Sequence, residues 1–353
     1  MTHLAAQVKG LRGRKWLSSA EYKVLKSEYL SWIDARVKAG DSTESINRTL
    51  DLAGLLPRWA DTVDEMFKSH AGYLEVSTIS VRGADDILVI AAGTYVGVGC
   101  SLDVTAVLYD RRSRTRLADI NAESGESQYA FYLSGLDVAA KDASGRRVVA
   151  SGWTISNCTS TWNGKRIRID RVGEPSIEGI LARDLDAQDR DGENVDAWVQ
   201  GDVVTFWYQG AIGDPDLLSV PAIARYRVLG NRAIREAPLA LTRAGFIREW
   251  LTVSDAEAVR WGDTRALEAR NSIAAQIEKH GFQLGRIARC GGTPPVWEIG
   301  VSLSDVDRVY VFRISGARAT ELRMIGVPDE ETSGCTRDDI RNNLANVATE
   351  LPW

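Results

Sequence analysis

The carboxylates that crowd together in this chain are the first residues with chemistry to offer. Asp184, Asp186, Asp189, Asp191, Glu193 and Asp196 fall within one short stretch. Calcium takes about six to eight oxygens, many from carboxylates on a turning backbone, and Asp189-x-Asp191-Gly192 matches the third, fifth and sixth positions of a helix–loop–helix calcium site. The first position would be Ala187 and the twelfth Trp198, and neither supplies a carboxylate. The stretch therefore reads as a solvated acidic loop. Calcium on Asp189, Asp191 and Glu193 is the competing reading, and no other cofactor is expected.

A second group joins Asp214-Pro215-Asp216 to the aromatic run Phe206-Trp207-Tyr208. Cleavage of a glycosidic bond needs two carboxyl groups, and aromatic rings give a sugar an apolar platform. Asp214 and Asp216 are thus the weak catalytic candidates of a hydrolase acting on carbohydrate or cell-wall material, with Trp207 and Tyr208 as ligand-binding rings. The same residues also make an ordinary turn between ordinary strands, which is the simpler reading. Of the eleven tryptophans, Trp162 stands beside Asn163-Gly164, a hairpin signal, and is the one expected at the surface as a ligand-binding ring.

Other mechanisms lack material. There are three histidines, and only His70 falls where a general base would be useful, because His3 is expected in a frayed terminus and His280 at a helix end. There is no G-x-S-x-G elbow and no phosphate-binding G-x-x-x-x-G-K-[ST] loop. Gly93, Gly97 and Gly99 lie in a strand-like stretch rather than ahead of a helix, so the dinucleotide fingerprint fails. A net charge of -5 argues against a nucleic-acid partner, which asks for a basic face. The basic cluster from Arg111 to Arg116 reads as a solvated turn, with an anion or surface contact as the alternative. Asn47-Arg48-Thr49 and Asn157-Cys158-Thr159 match the glycosylation tripeptide, which also arises by chance.

Cys100, Cys158, Cys290 and Cys335 are separated by 58, 132 and 45 positions. No two are close enough to share a zinc knuckle, and an even count fits two disulfides in any of three connectivities. Cys158 and Cys335 lie in small polar surroundings, Ser156 to Ser160 and Thr332 to Thr336, rather than on apolar helix faces. Four buried thiols are the alternative.

The elements that must position these residues follow from periodicity. Ser18 and Glu21 form a capping box ahead of Tyr22, Leu25, Tyr29, Trp32, Ile33 and Val37 at helical spacing, with Gly40 as the stop. Asp41 and Glu44 begin a second helix carrying Ile46 and Leu50. From Tyr73 the period becomes two, with strands around 88–90, 104–109, 147–150, 166–169, 203–208 and 223–228. Tyr109, Ile169, Arg227 and Arg313 mark a loose repeat at separations of 60, 58 and 86, the last enlarged by a helical insertion between Thr242 and His280. Further strands are expected at 297–301, 309–314 and 321–325, then a helix begun by Thr336 and Asp339.

The expected fold is α+β: a helical N-terminal region at 1–72, a central antiparallel β domain at 73–240 built as a sandwich or propeller-like repeats, and a C-terminal helix-plus-antiparallel-sheet domain at 241–353. A chain of 353 residues fits two or three domains. No run of apolar residues is long enough for a transmembrane segment.

The segments Trp32 to Gly40 and Ala150 to Gly164 resemble those of a bacterial family of exported proteins to which no activity is assigned. The resemblance implies export and brings no cofactor or catalytic residue. Thirty-four arginines against nine lysines agree with a GC-rich bacterial genome. The first residues hold no apolar leader, so the expected location is periplasmic or extracellular if a leader was removed, and cytoplasmic otherwise. The function expected is that of an exported binding or interaction protein for an unknown protein or glycan, with the hydrolase as the alternative.

Overall fold

The computed structural model describes residues 2–11, 18–56, 73–82, 84–95, 102–122, 129–157, 163–173, 176–189, 195–211, 219–236, 239–303, 306–326 and 335–337. Among them are six helices and seventeen strands in four antiparallel sheets, an α+β chain that is mostly β. Two compact units are formed, Met1–Phe206 with Val228–Ala233, and Trp207–Arg227 with Ile234–Trp353. No described helix is long and apolar enough to cross a membrane.

The first unit begins with α1 (Thr2–Leu11), α2 (Ser19–Ala39) and α3 (Thr43–Leu52). Both halves of the capping box are present at α2: the Glu21 N–H donates to Ser18 Oγ at 3.3 Å, and the Ser18 N–H donates to Glu21 Oε2 at 3.0 Å. Gly40 closes the helix at φ 98°, a left-handed conformation that costs an L side chain about 1–2 kcal/mol. Helix α1, which holds His3, is docked rather than frayed. Leu4 and Val8 enter the core from α1, and His3 Nδ1 lies 3.0 Å from Glu28 Oε2.

These helices cover one face of a four-stranded meander, β1 (Leu74–Ile79), β2 (Ile87–Tyr95), β3 (Leu102–Asp110) and β4 (Arg116–Ile120). Strand alternation sends Leu74, Val76, Ile90, Ala92, Val107 and Tyr109 toward the helices. The intervening Ile87, Val89, Val104, Ala106 and Leu108 face Phe131, Val149 and Trp153 of the next sheet. That sheet is the meander β5 (Tyr129–Val138), β6 (Arg147–Asn157), β7 (Asn163–Gly173) and β8 (Ser176–Asp189).

Two sequence expectations change here. Asn163 and Gly164 are not a hairpin tip; they open β7 opposite Ser156 and Ile155, because the pairing extends as far as Asn163. The basic turn is bonded inward: Arg111 donates to the Ile87 carbonyl, Arg114 to the Val37 carbonyl at the end of α2, and Arg116 pairs with Asp34 and Asp119. Guanidinium groups suit those sites because a helix C-terminus and two carboxylates are both negative. The Asn47 amide is also engaged, donating to the Val76 carbonyl at 2.7 Å and accepting its N–H at 3.1 Å, so it packs against β1 rather than presenting a glycosylation site.

Strand β9 (Asp196–Gln200) packs against β5 and β6, and its approach depends on a pair of glycines. Gly135 and Gly152 are register partners, and a Cβ on either would fall 2.3 or 2.5 Å from the Val195 carbonyl oxygen. The buried Asp137 carboxylate fastens the same place, accepting the N–H groups of Arg82, Val138 and Val199.

A third meander has the order β12-β11-β10-β9, with β10 (Val203–Ala211), β11 (Ser219–Leu229) and β12 (Arg232–Glu236). The fourth sheet, in the second unit, has the order β16-β15-β14-β13-β17, with β13 (Phe282–Gly291), β14 (Val296–Leu303), β15 (Val306–Ser315), β16 (Arg323–Gly326) and β17 (Thr336–Arg337). Tyr109, Ile169, Arg227 and Arg313 occupy β3, β7, β11 and β15, the third strand of each successive meander. The spacing irregularity is α4 (Arg243–Thr252), α5 (Asp255–Ala258) and α6 (Thr264–His280), whose Phe246, Ile247, Trp250 and Ile273 cover Ile287, Trp297, Ile299, Phe312 and Ile314 of the fourth sheet. Thr336 belongs to β17, paired with Arg289, rather than capping a helix; Asp339 and the residues beyond it lie outside those described.

Candidate functional site

Most of the residues singled out from sequence fall outside the described set: Cys100, Cys158, Trp162, Asp191, Glu193, Asp214 and Asp216, along with His70. Asp189 ends β8, with its side chain outside the described atoms. Of the acidic stretch, Asp184 lies on β8 in a two-pronged pair with Arg166, Nε to Oδ1 at 2.5 Å and Nη2 to Oδ2 at 3.0 Å. Tyr208 is buried, and Trp207 is half-buried against Ile223 and Leu241. Cys290 and Cys335 form a disulfide with an S–S distance of 2.03 Å.

The group with binding geometry lies elsewhere in the second unit. Alternation on β12 turns Arg235 into the core and leaves Glu236 half-buried. Arg235 is fully buried, donating to the Tyr226 hydroxyl at 3.0 Å and to the Ile223 and Leu239 carbonyls at 3.2 and 2.9 Å. Burial alone would lower its pKa; the electron-rich Tyr226 and the Glu249 carboxylate outweigh it and hold the guanidinium charged. The Arg235 carbonyl in turn accepts from Arg260 Nη1 at 2.6 Å.

Arg260 precedes Trp261 in the turn after α5. The backbone of that turn is pinned to β16: the Met324 N–H donates to the Trp261 carbonyl at 2.7 Å, and the Asp263 N–H donates to the Met324 carbonyl at 2.9 Å. This pairing brings Arg323, the neighbour of Met324, to the Trp261 ring. The Arg323 guanidinium carbon is 5.1 Å from the ring centroid and that of Arg260 is 6.0 Å from it, within cation–π range. Arg323 Nη1 also donates to the Leu322 carbonyl at 2.8 Å.

Arg260, Trp261, Arg323 and Glu236 line a concavity of about 370 Å³. Both arginines are exposed, and among the described residues neither lies within ion-pair distance of a carboxylate. Glu236 accepts from Arg227 Nε at 2.7 Å, so its charge is already answered from outside the concavity. The indole N–H of Trp261 is buried and has no hydrogen-bond partner. The arrangement is therefore cationic, with two forked donors held in place by a ring and by backbone carbonyls, and most of their N–H groups still open.

A second concavity, of about 270 Å³, lies at the β5–β6 turn and is also lined by arginines. There Arg146 pairs with Glu178 at 2.7 Å and Arg147 pairs with Asp86. Its guanidinium charge is spent internally, which separates it from the Trp261 site.

A third place holds a buried acid–base pair with shifted titration. Lys26 of α2 donates to Asp103 of β3 at 3.1 Å. Burial pushes the Asp103 carboxyl up to about 7 and pulls the Lys26 ammonium down to about 8, partly offset by Asp119. The pair lies between a helix and a sheet and lines neither of these concavities. No protein-family model matches the chain, and no curated protein matches it.

Proposed function

We propose that this chain is a binding protein that recognises an oxyanion, a carboxylate or phosphate group on its ligand, at the concavity formed by Arg260, Trp261 and Arg323. One observation carries the reading: two exposed guanidinium groups, oriented by one tryptophan ring, have no carboxylate partner among the described residues. Guanidinium forks match carboxylate and phosphate geometry, and prior orientation reduces the entropy lost on binding. The lining groups favour binding over catalysis, since arginine does not exchange protons near neutral pH and Glu236 is held in an ion pair.

Two charge-assisted contacts at an open site contribute about 4–5.5 kcal/mol together, a Kd of roughly 0.1–1 mM for a small oxyanion alone. Titration calorimetry with citrate and with inorganic phosphate tests this. Binding should weaken with added salt, and Arg260→Ala or Arg323→Ala should each weaken it about tenfold or more. Absence of heat at millimolar ligand, or binding that ignores both substitutions, refutes the assignment.

The same proposal places the protein outside the bacterial cytoplasm. The Cys290–Cys335 disulfide supports it, because such bonds persist in oxidising compartments. Intact mass after alkylation of denatured protein from its native host, with and without prior reduction, tests the placement. Full alkylation without reduction would remove it.

A further inference from the structure

The Cys290–Cys335 bond and the Arg323 end of the oxyanion site belong to one sheet, and a single ladder row joins them. Among the described residues, β16 and β17 are the outer strands of that sheet. Gly326, the last residue of β16, stands opposite Arg313, and Arg313 stands opposite Glu298. Glu298 in turn faces Ala288, and Ala288 faces Arg337. The register of β13 with β17, continued by one residue, sets Cys290 opposite Cys335. Side chains reinforce the row: Arg313 Nε donates to Glu298 Oε1 at 2.7 Å, and Glu298, 3% exposed, has Oε2 at 3.7 Å from Cys335 Sγ.

The chain joins the same two places. β16 ends at Gly326, and Cys335 follows nine residues later. Four strand spacings, about 19 Å, separate β16 from β17. Nine residues reach at most about 32 Å, so the connection has limited slack, and the bond to Cys290 fixes its far end. At the near end β16 is only four residues long. Its Met324 makes the two backbone hydrogen bonds to Trp261 and Asp263 that bring Arg323 to the Trp261 ring. A short outer strand opens locally at little cost, so what holds its downstream end matters.

We infer that the Cys290–Cys335 bond regulates the oxyanion site: closed, it holds β16 and Arg323 in the binding arrangement, and opened, it lets them leave it and weakens binding. The inference rests on the oxyanion reading of that concavity. Both cysteines are half-buried, so a thiol reductant can reach them. The step balances with glutathione: two of its thiols give up two electrons and two protons and become one disulfide, while Cys290 and Cys335 become thiols. Only two ladder pairs then retain β17, and the chain beyond Gly326 loses its anchor. As the fraction of molecules with Arg323 in place falls, the apparent Kd rises in inverse proportion. Coupling is reciprocal, so a bound oxyanion favours the closed bond by the same factor.

The test titrates citrate and inorganic phosphate by calorimetry into the full-length oxidised chain and into its Cys290→Ser/Cys335→Ser variant. The variant should bind each anion about fivefold or more weakly. A second readout uses wild-type protein and does not need the variant to fold. In glutathione buffers at constant ionic strength, alkylation and peptide mass mapping give the dithiol–disulfide ratio of Cys290 and Cys335. Saturating citrate should shift that ratio toward the disulfide by the same factor, and Arg323→Ala should abolish the shift. If the oxidised chain binds the anions but the variant binds them equally well, or the ratio ignores citrate, the inference is overturned and the oxyanion site stands. If the oxidised chain binds neither anion, the oxyanion reading falls and takes this regulation with it.

Discussion

Replacing Gly152 with alanine should destabilise the first unit by about 3 kcal/mol. The new Cβ would sit 2.5 Å from the Val195 carbonyl oxygen, 2.6 Å from its Cγ1 and 2.7 Å from its Cβ. A carbon approaches a carbonyl oxygen comfortably at about 3.3 Å, so roughly 0.8 Å of movement is needed. Val195 is fully buried, and the Asp137 carboxylate that binds the Val199 N–H holds the following strand in place. Overpacking of this kind costs about 1–3 kcal/mol, and an obstacle that includes a backbone carbonyl and the Cβ fixed to the same backbone puts the cost at the upper end. Urea denaturation should show the midpoint falling by about 1 M or more with an unchanged slope. Gly164→Ala in the same sheet is the control, since its nearest contact would be Ile155 Cβ at an ordinary 3.6 Å, and it should stay within about 0.5 kcal/mol of wild type. Val195→Ala removes one of the three obstructing atoms, so it should partly rescue Gly152→Ala, with a coupling of about 0.5–1 kcal/mol. It should not rescue Gly135→Ala, whose contacts with Val195 O, Ala197 N and Asp196 Cα are all backbone. Wild-type stability in Gly152→Ala, or equal rescue of both glycine variants, would refute the close-approach argument.

Stability should also depend on pH through the buried pair of α2 and β3. Asp103 titrates at about 7 in the folded chain against 3.8 ordinarily, so the native state keeps a proton that the unfolded chain has released, and stability falls as pH rises from about 4 to about 7. Lys26 works in the opposite sense: its folded value of about 8 lies below 10.5, and stability recovers as pH rises between them. Asp103→Asn should flatten the acid-side fall, which amounts to at most about 4 kcal/mol, and urea midpoints near pH 4.5 and pH 7.5 that keep the wild-type difference would contradict this. Arg235→Met withdraws a buried cation from Tyr226, Glu249 and two carbonyls and should cost about 3–5 kcal/mol in thermal or urea unfolding, a loss below about 1 kcal/mol being the adverse result.

Much of the scaffold was legible because its signals are local. Ser18, Glu21 and Gly40 announce α2 from its two ends. The alternation around Tyr109, Ile169, Arg227 and Arg313 marks equivalent strands of four meanders, and Gly281 closes α6 at φ 68°. Helix α1 lies within the stretch expected to be helical, but its bounds were not legible because it has no acidic residue in its first turn, and its capture by Glu28 and the core is tertiary. The Trp261 site was invisible for a similar reason. Arg260 and Arg323 stand 63 positions apart and meet only through the pairing of Met324 with the Trp261 turn, for which no spacing rule exists. Arg111 and Arg112 of the 111–116 turn are exposed as expected, whereas the end of α2 and the carboxylates of Asp34 and Asp119 draw Arg114 and Arg116 inward. The cysteine count allowed three connectivities, and the strand register singles out the partner of Cys290.

The two-residue strand β17 has a consequence for how this protein keeps company with its own copies. Among the described residues, β13 would without it be the outer strand of the fourth sheet, offering a row of N–H and C=O groups to any extended chain that passed. Two devices blunt that row. A register shift between Leu284 and Ile287 bends the strand, and farther along β17 occupies the ladder at Ala288 and Arg289, fastened there by a covalent bond. The Cys290–Cys335 bond therefore acts as a clasp on a potential growth point for intermolecular sheet, and opening it frees the segment that keeps neighbouring molecules from adding a strand.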